Sequence, residues 1–170
     1  IKKYRKNLFL EIKHISPLDS HRYKKFGYSN EIIYSHIDPS TDELFGHIFT
    51  SINKLTNPYK SILAFVYKKY KQEIKTFPYD LELTSYSRVG SFIQKKYNAL
   101  NILLSLKKYA DKEKSDVLIS GLLLKYIGMV KQFNFDCAFT YSDIGSKESC
   151  SILSRDIIIE ADKKCNDISK

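Results

Sequence analysis

The sequence predicts a mostly α-helical domain of five to six helices, preceded by a short β-strand and an irregular linker. Apolar residues recur at the 3.6-residue helical spacing along most of the chain after residue 40. Glycine and proline are scarce, at 6 and 4 of 170 residues, which disfavours a many-turned β-sandwich. A hydrophobic content of 43% with 14% aromatic residues sets the chain apart from disordered sequences, and its length suits one domain with a sizeable core. The expected divisions are a strand and linker over 1–39, a helical body over 40–166 and a polar tail over 167–170.

Residues 1–15, IKKYRKNLFLEIKHI, alternate apolar and polar side chains through Leu8, Leu10 and Ile12, the period of a strand. A lone strand has no stability of its own, so its partner is expected upstream or on another chain. The absence of an initial methionine reads as a boundary inside a longer protein. Pro17, Gly27 and Pro39 mark 16–39 as linker. Leu44, Phe45, Ile48, Ile52 and Leu55 make a helix over 40–55 behind a Ser40 or Thr41 cap, with Glu43 in its first turn. Asn57 and Pro58 restart the pattern as cap and first helical residue. Ile62, Leu63, Val66, Tyr70 and Ile74 form that helix's buried stripe, and Phe77-Pro78 ends it. After a loop over 79–87, residues 89–108 are expected to be helical, with Phe92, Ala99, Leu100, Leu103 and Leu104 inward.

The longest apolar run begins at Ser115 and predicts a central helix capped by that serine. Leu118, Gly121, Leu122, Lys125 and Met129 share one face, while Val117, Ile119, Leu123, Leu124 and Ile127 fill most of the rest. A helix apolar nearly all round is a buried one. Lys125 and Tyr126 then sit where a charge is costly unless it serves a purpose. Residues 134–145 read as an irregular or hairpin-like loop, and 146–166 as a last helix carrying Cys150, Leu153, Ile157 and Ala161 on one face.

The segment LLLKYIGMVKQFNFDCAFTYSDIGSKESC resembles the central segment of the HD-domain phosphohydrolases. More narrowly it is similar to the bacterial 3'-5' exoribonucleases in which an OB-fold precedes the HD domain, where the helix reads near LLHDIGKVxEL. Leu123, Leu124, Ile127, Gly128, Val130, Tyr141 and Gly145 match that scaffold. Lys125 and Tyr126 fall on the family's His-Asp pair, Met129 on its lysine and Cys150 on a later histidine. Upstream, VGSFIQKKYNALNILL resembles a helix near GGLLEHTLSVL and places Lys95 on the first metal-binding histidine. In FPYDLELTSY, Ser85 and Tyr86 stand where the family has a His-His pair. The resemblance spans about residues 1 to 160 and implies a catalytically inactive HD-like domain, its scaffold kept and its ligands replaced. It also implies that the strand at 1–15 closes an upstream OB-fold, and that further helices with an aspartate ligand would follow Lys170.

Residue inventory leads to the same expectation. All four histidines, His14, His21, His36 and His47, lie in the first 47 residues. An HD metal centre needs imidazole and carboxylate ligands converging from several helices, so no metal and no cofactor are expected in the body. His36 with Asp38 lacks a third ligand. No P-loop, GxGxxG, GxSxG, HExxH or EF-hand pattern occurs. Asp136 and Asp143 are a poor acid–base pair on a loop, and Cys137 or Cys150 lacks a histidine to activate it. Three cysteines without CxxC spacing suggest reduced thiols in a cytoplasm, and no apolar run reaches transmembrane length.

The net charge of +9 draws polyanions through phosphate neutralisation. Against that, the basic residues include only four arginines, Arg5, Arg22, Arg88 and Arg155, and arginine is the preferred bidentate phosphate reader. The best basic-aromatic patch is Lys60, Lys68, Lys69, Lys71 and Lys75 with Tyr59 and Tyr67, which reads either as a base-stacking face or as a solvated helix surface. Three functions remain open: an inactive HD-like binding or regulatory module for RNA, a protein-interaction or assembly domain such as a homo-oligomer, and a hydrolase using unrelated residues. If Lys95, Lys125, Tyr126 and Cys150 occupy the old ligand positions, they converge from three helices. Two ammonium groups there exclude a divalent cation, and they snorkel apart, pair with Asp136 or Asp143, or hold an anion.

Overall fold

A computed structural model describes residues 2–4, 7–9, 40–79, 88–106, 109, 111–135 and 139–168. The expected linker over 16–39, His14, His21, His36, Ser85, Tyr86, Asp136 and Cys137 lie outside them. Among the described residues the chain is mostly helical, as the apolar spacing predicts.

The N-terminal strand divides in two. β1 (Lys2–Tyr4) pairs antiparallel with β2 (Asn7–Phe9), Lys2 opposite Phe9 and Tyr4 opposite Asn7. A period-two pattern does not say whether a strand continues or folds back, and here it folds back after Tyr4.

α1 (Thr41–Ile52) starts where its cap predicts. Ser40 Oγ accepts from Asp42 N at 3.3 Å, and Leu44, Phe45, Ile48 and Ile52 are buried. α2 (Tyr59–Lys69) begins behind Pro58, whose own side chain makes no cap bond; the Asn57 side chain instead accepts from the Ser61 hydroxyl at 2.9 Å. Tyr70 interrupts the run at φ −109°, and α3 (Lys71–Thr76) follows. Leu63, Val66, Tyr67, Tyr70 and Ile74 line the buried side, so Tyr67 takes the inward place expected of Ile62.

α4 (Ser91–Leu106) buries Phe92, Ile93, Lys96 and Leu100, while Leu104 lies at the surface. α5 (Lys112–Leu124) starts from an Asp111 cap, its Oδ1 accepting from Lys114 N at 2.9 Å, and not from Ser115. Its burial is the reverse of the apolar-all-round expectation. Ser115, Asp116 and Ser120 are inside with Ile119 and Leu123, whereas Val117 and Leu118 are 47% and 53% exposed. The reason is specific bonding. Asp116 Oδ2 accepts from Thr56 N at 3.0 Å and Thr56 Oγ1 at 2.7 Å, which turns the polar edge of α5 toward the entry of α2.

α5 also ends at Leu124, earlier than the apolar run suggests. A turn over 125–128 leads into the short α6 (Met129–Gln132). β3 (Phe133–Phe135) and β4 (Phe139–Tyr141) then form an antiparallel hairpin, Phe133 opposite Tyr141. α7 (Cys150–Ile168) buries Leu153, Ile157 and Ala161 along one face, as their spacing predicts. α2 packs across α7 and α5, α1 against α4, and α4 against α5, around a core that includes Ile48, Leu63, Phe92, Leu123 and Ile157.

Candidate functional site

The turn between α5 and α6 is built from backbone bonds that close one helix and open the next. Lys125 N donates to Gly121 O at 2.9 Å, Ile127 N to Leu124 O at 3.0 Å and Met129 N to Tyr126 O at 3.1 Å. Tyr126 reverses the chain at φ 59°, a left-handed conformation that a side chain with a Cβ adopts at a cost. Two contacts hold it. Gly128 N donates to Ser154 Oγ on α7 at 2.8 Å, and any Cβ on Gly128 would stand 2.7 Å from Ser154 N. From the other side, α4 delivers Lys96, whose Nζ donates to Leu122 O at 2.8 Å and to Lys125 O. A lysine on the last carbonyls of a helix satisfies orphan acceptors and meets the negative end of its dipole.

Lys96 is 5% exposed. Burial pushes its ammonium down to about 7, and the like charge of Lys125 pushes the same way against a smaller pull from Cys150. Burial raises the Cys150 thiol above its ordinary value, with bonds to Ser154 and the Met129 backbone and the charge of Lys96 acting in opposition. The thiol Sγ donates to Tyr126 O at 3.7 Å.

Of the four positions singled out by resemblance, Lys125, Tyr126 and Cys150 meet at the turn, and Lys95 is linked to them only through Tyr79. Lys125 Nζ lies 4.9 Å from the Tyr126 ring centroid, and Cys150 reaches the Tyr126 carbonyl. Lys95 Nζ stands 3.8 Å over the Tyr79 ring, which meets Tyr126 edge-on at 6.0 Å. The ammonium on which the charge of Lys125 acts is that of Lys96. Asp143 is exposed and makes no ion pair with Lys125, while Asp136, the other carboxylate expected there, lies outside the described residues. Tyr79 and Lys96 were not anticipated. Tyr79 sits at the edge of a stretch read as loop, but Lys96 had a signal: Phe92, Lys96 and Leu100 are spaced by four and share one inward face.

The expected patch on α2 and α3 is not a stacking face. Tyr67 is fully buried, its hydroxyl donates to Leu123 O at 3.2 Å, and burial raises its phenol well above the usual range. No base can reach that ring. The lysines also diverge. Lys69 pairs with Glu160 on α7, Lys75 Nζ pairs with Asp42 on α1 at 2.7 Å, and Lys68 and Lys71 lie over the Phe49 and Phe45 rings. Lys60 is exposed at the start of α2, and Tyr59 is half-buried.

Among the described residues no group of three His, Cys, Asp or Glu side chains could hold a metal ion, and no helix is long and apolar enough to cross a membrane. No family model, no curated protein and no solved structure matches the chain.

Proposed function

We propose that the chain is a catalytically inactive HD-like module that binds RNA in the cytoplasm, and that the RNA lies on the face around the turn at 125–128. The observation that carries this reading is the alternation Lys95, Tyr79, Tyr126, Lys125, in which two cations and two rings touch in sequence. Tyrosines among lysines offer stacking surfaces while the charges follow a phosphate backbone. The left-handed Tyr126 adds support, because strained backbone is kept where the side chain must be presented in one direction. The HD-like part rests on the resemblance of residues 89–104 and 122–150. When Lys96 is protonated, its charge beside that of Lys125 favours an anion over a divalent cation at this place.

Fluorescence anisotropy with a labelled single-stranded RNA tests it. The logarithm of affinity should fall linearly with the logarithm of salt, because binding releases condensed counterions. Tyr126→Ala should lower affinity by roughly tenfold, the loss of one stacking platform. Lys60→Gln, at the far patch, should change affinity little. An affinity indifferent to salt and to Tyr126 would end the reading. Manganese-dependent hydrolysis of the same RNA would replace it with a divergent phosphohydrolase or 3'-5' exoribonuclease. A protein-interaction or assembly domain is favoured by a different observation, the exposed Ile102, Leu106, Val117 and Leu118 on α4 and α5; a mass that rises with concentration in sedimentation would support it.

A further inference from the structure

On the α7 side of Tyr126 lies an open groove of about 410 Å³, between the end of α5 and α7. Leu124, Ile158 and Ile159 give it an apolar floor, and Lys125 and Arg155 stand at its margins. No carboxylate is among the residues lining it. Ile152 and Ile159 are 38% and 45% exposed although they are large and aliphatic, and seven residues separate them on α7. That is two helical turns, the interval at which one helix receives the apolar seam of another. Arg155 falls between them on the same side and engages Asp156 through Nε and Nη2, at 3.1 Å and 2.9 Å. Further along α7, Lys163 is exposed.

We propose that this groove, together with the α7 surface just outside it at Ile152, docks an acidic amphipathic helix of a partner protein. The helix lays its apolar stripe on Leu124, Ile159 and Ile152, and its carboxylates on Lys125 and on the Nη1 side of Arg155 that Asp156 does not take. A helix in a groove is read through anchors spaced by three, four and seven residues, which is the spacing α7 presents. Charge selects the occupant. The chain carries +9, so a second copy would bring like charge to a margin that is already cationic, whereas an acidic helix is steered toward it. A phosphate backbone would meet the charges but leave the two isoleucines without a use. The proposal does not rest on RNA binding, although both readings use Lys125.

The probe is a synthetic helical peptide with leucine at the two seam positions of each heptad and glutamate flanking them. A control peptide has the same composition in scrambled order. The full chain should bind the patterned peptide in preference to the scrambled one, and salt should weaken the binding. Ile159→Glu, an exposed change, removes an anchor and adds like charge, and should lower affinity at least about tenfold. Ile152→Ser, which adds no charge, should lower it several-fold, with circular dichroism confirming that both variants stay helical. Equal affinity for the two peptides would reduce the contact to non-specific attraction and overturn the proposal. Self-association that depends on Ile159 would assign the groove to a second copy, and RNA binding lost in Ile152→Ser would assign it to RNA; either outcome overturns the proposal.

Discussion

Lys69 and Lys75 each reach a carboxylate, Glu160 and Asp42, while Lys68 and Lys71 lie over aromatic rings at the surface of α2 and α3. Around the turn at 125–128 the same residue type is placed quite differently. Lys96 is buried against two carbonyl oxygens, and the charge pressing on it is Lys125. In each ion pair of the first group at least the carboxylate is open to water, so the pairs are largely screened and contribute little. The second group is screened far less, and there a proton or a bound anion changes the energy of the fold. Net charge alone would treat the two regions as equal. Burial separates them.

The largest expected effect is the pH dependence set by Lys96. Its folded-state value of about 7 lies below the ordinary lysine value of 10.5. Below pH 7 both folded and unfolded chains hold the proton, and the buried charge has its full cost. Between pH 7 and 10.5 the unfolded chain keeps the proton and the folded chain releases it, so stability rises with pH. From pH 7 to about 9.5, before tyrosines titrate, Lys96 should contribute a gain of about 3 kcal/mol. It is read as the difference between wild type and Lys96→Met by denaturant titration, because the raised Cys150 and Cys165 thiols act in the opposite direction in both. Lys96→Met should flatten that slope. A wild-type slope identical to that of Lys96→Met would put Lys96 with the screened lysines and dissolve the contrast between the regions.

Two glycines sharpen the same contrast. Gly128 has an ordinary helical backbone, φ −57°, so its constraint is space: an added Cβ would meet Cys150 O, Ser154 N at 2.7 Å and Ser154 Oγ at 2.8 Å. Backbone atoms on α7 cannot yield cheaply, and Gly128→Ala should destabilise by about 2–3 kcal/mol. Gly121, three residues before the end of α5, has nothing within 4 Å of such a Cβ. Gly121→Ala should therefore stabilise by about 1 kcal/mol, the helix-propensity difference. Thermal unfolding of both variants checks the pair.

The sequence was most legible where one side of a helix faces the core over several turns. Leu44, Phe45, Ile48 and Ile52 on α1, and Leu153, Ile157 and Ala161 on α7, follow their spacing into the core. It was least legible where one polar contact sets the rotation of a helix. Asp116 bonds a threonine 60 residues away in sequence, and that bond turns Val117 and Leu118 outward against their hydropathy. Neighbouring lysines posed a similar problem, because one residue is about 100° on a helix. Resemblance pointed to Lys95, while the four-residue stripe Phe92, Lys96, Leu100 carried the buried ammonium. Nothing local announces the reversal at Tyr126, since the glycine that permits the tight approach stands two residues later.

A smaller effect isolates the reversal itself. In most helices alanine is better than glycine, by about 1 kcal/mol. At position 126, where φ is 59°, the order should invert, because a Cβ in the left-handed region costs about 1–2 kcal/mol and glycine avoids it. Tyr126→Gly should be more stable than Tyr126→Ala by about 1 kcal/mol, while both lose the ring contacts with Tyr79 and Lys125. Equal stabilities would mean that the turn relaxes when the ring is removed, and that Tyr126 is held by its side chain and not by its backbone partners.

The smallest effect belongs to the screened region, at Glu160. Its carboxyl is held below the usual range first by the hydrogen bond from Lys69 and then by the charges of Lys69, Lys131 and Lys164. A lowered carboxylate value means that the contribution is present above the ordinary glutamate range and fades as the pH falls through the folded-state value. Both side chains are more than a third exposed, so the pair is largely screened. Glu160→Gln should cost within about 0.5 kcal/mol, and added salt should erase the difference. The variant also releases Lys69 beside the Phe65 and Tyr70 rings and raises the net charge by one. If RNA follows the Tyr126 face, its affinity should rise only slightly, through that added charge, and Tyr126→Ala should weaken Glu160→Gln and wild type by the same factor. If freeing Lys69 instead makes binding independent of Tyr126, the α2 lysines become the contact surface and the two regions exchange roles.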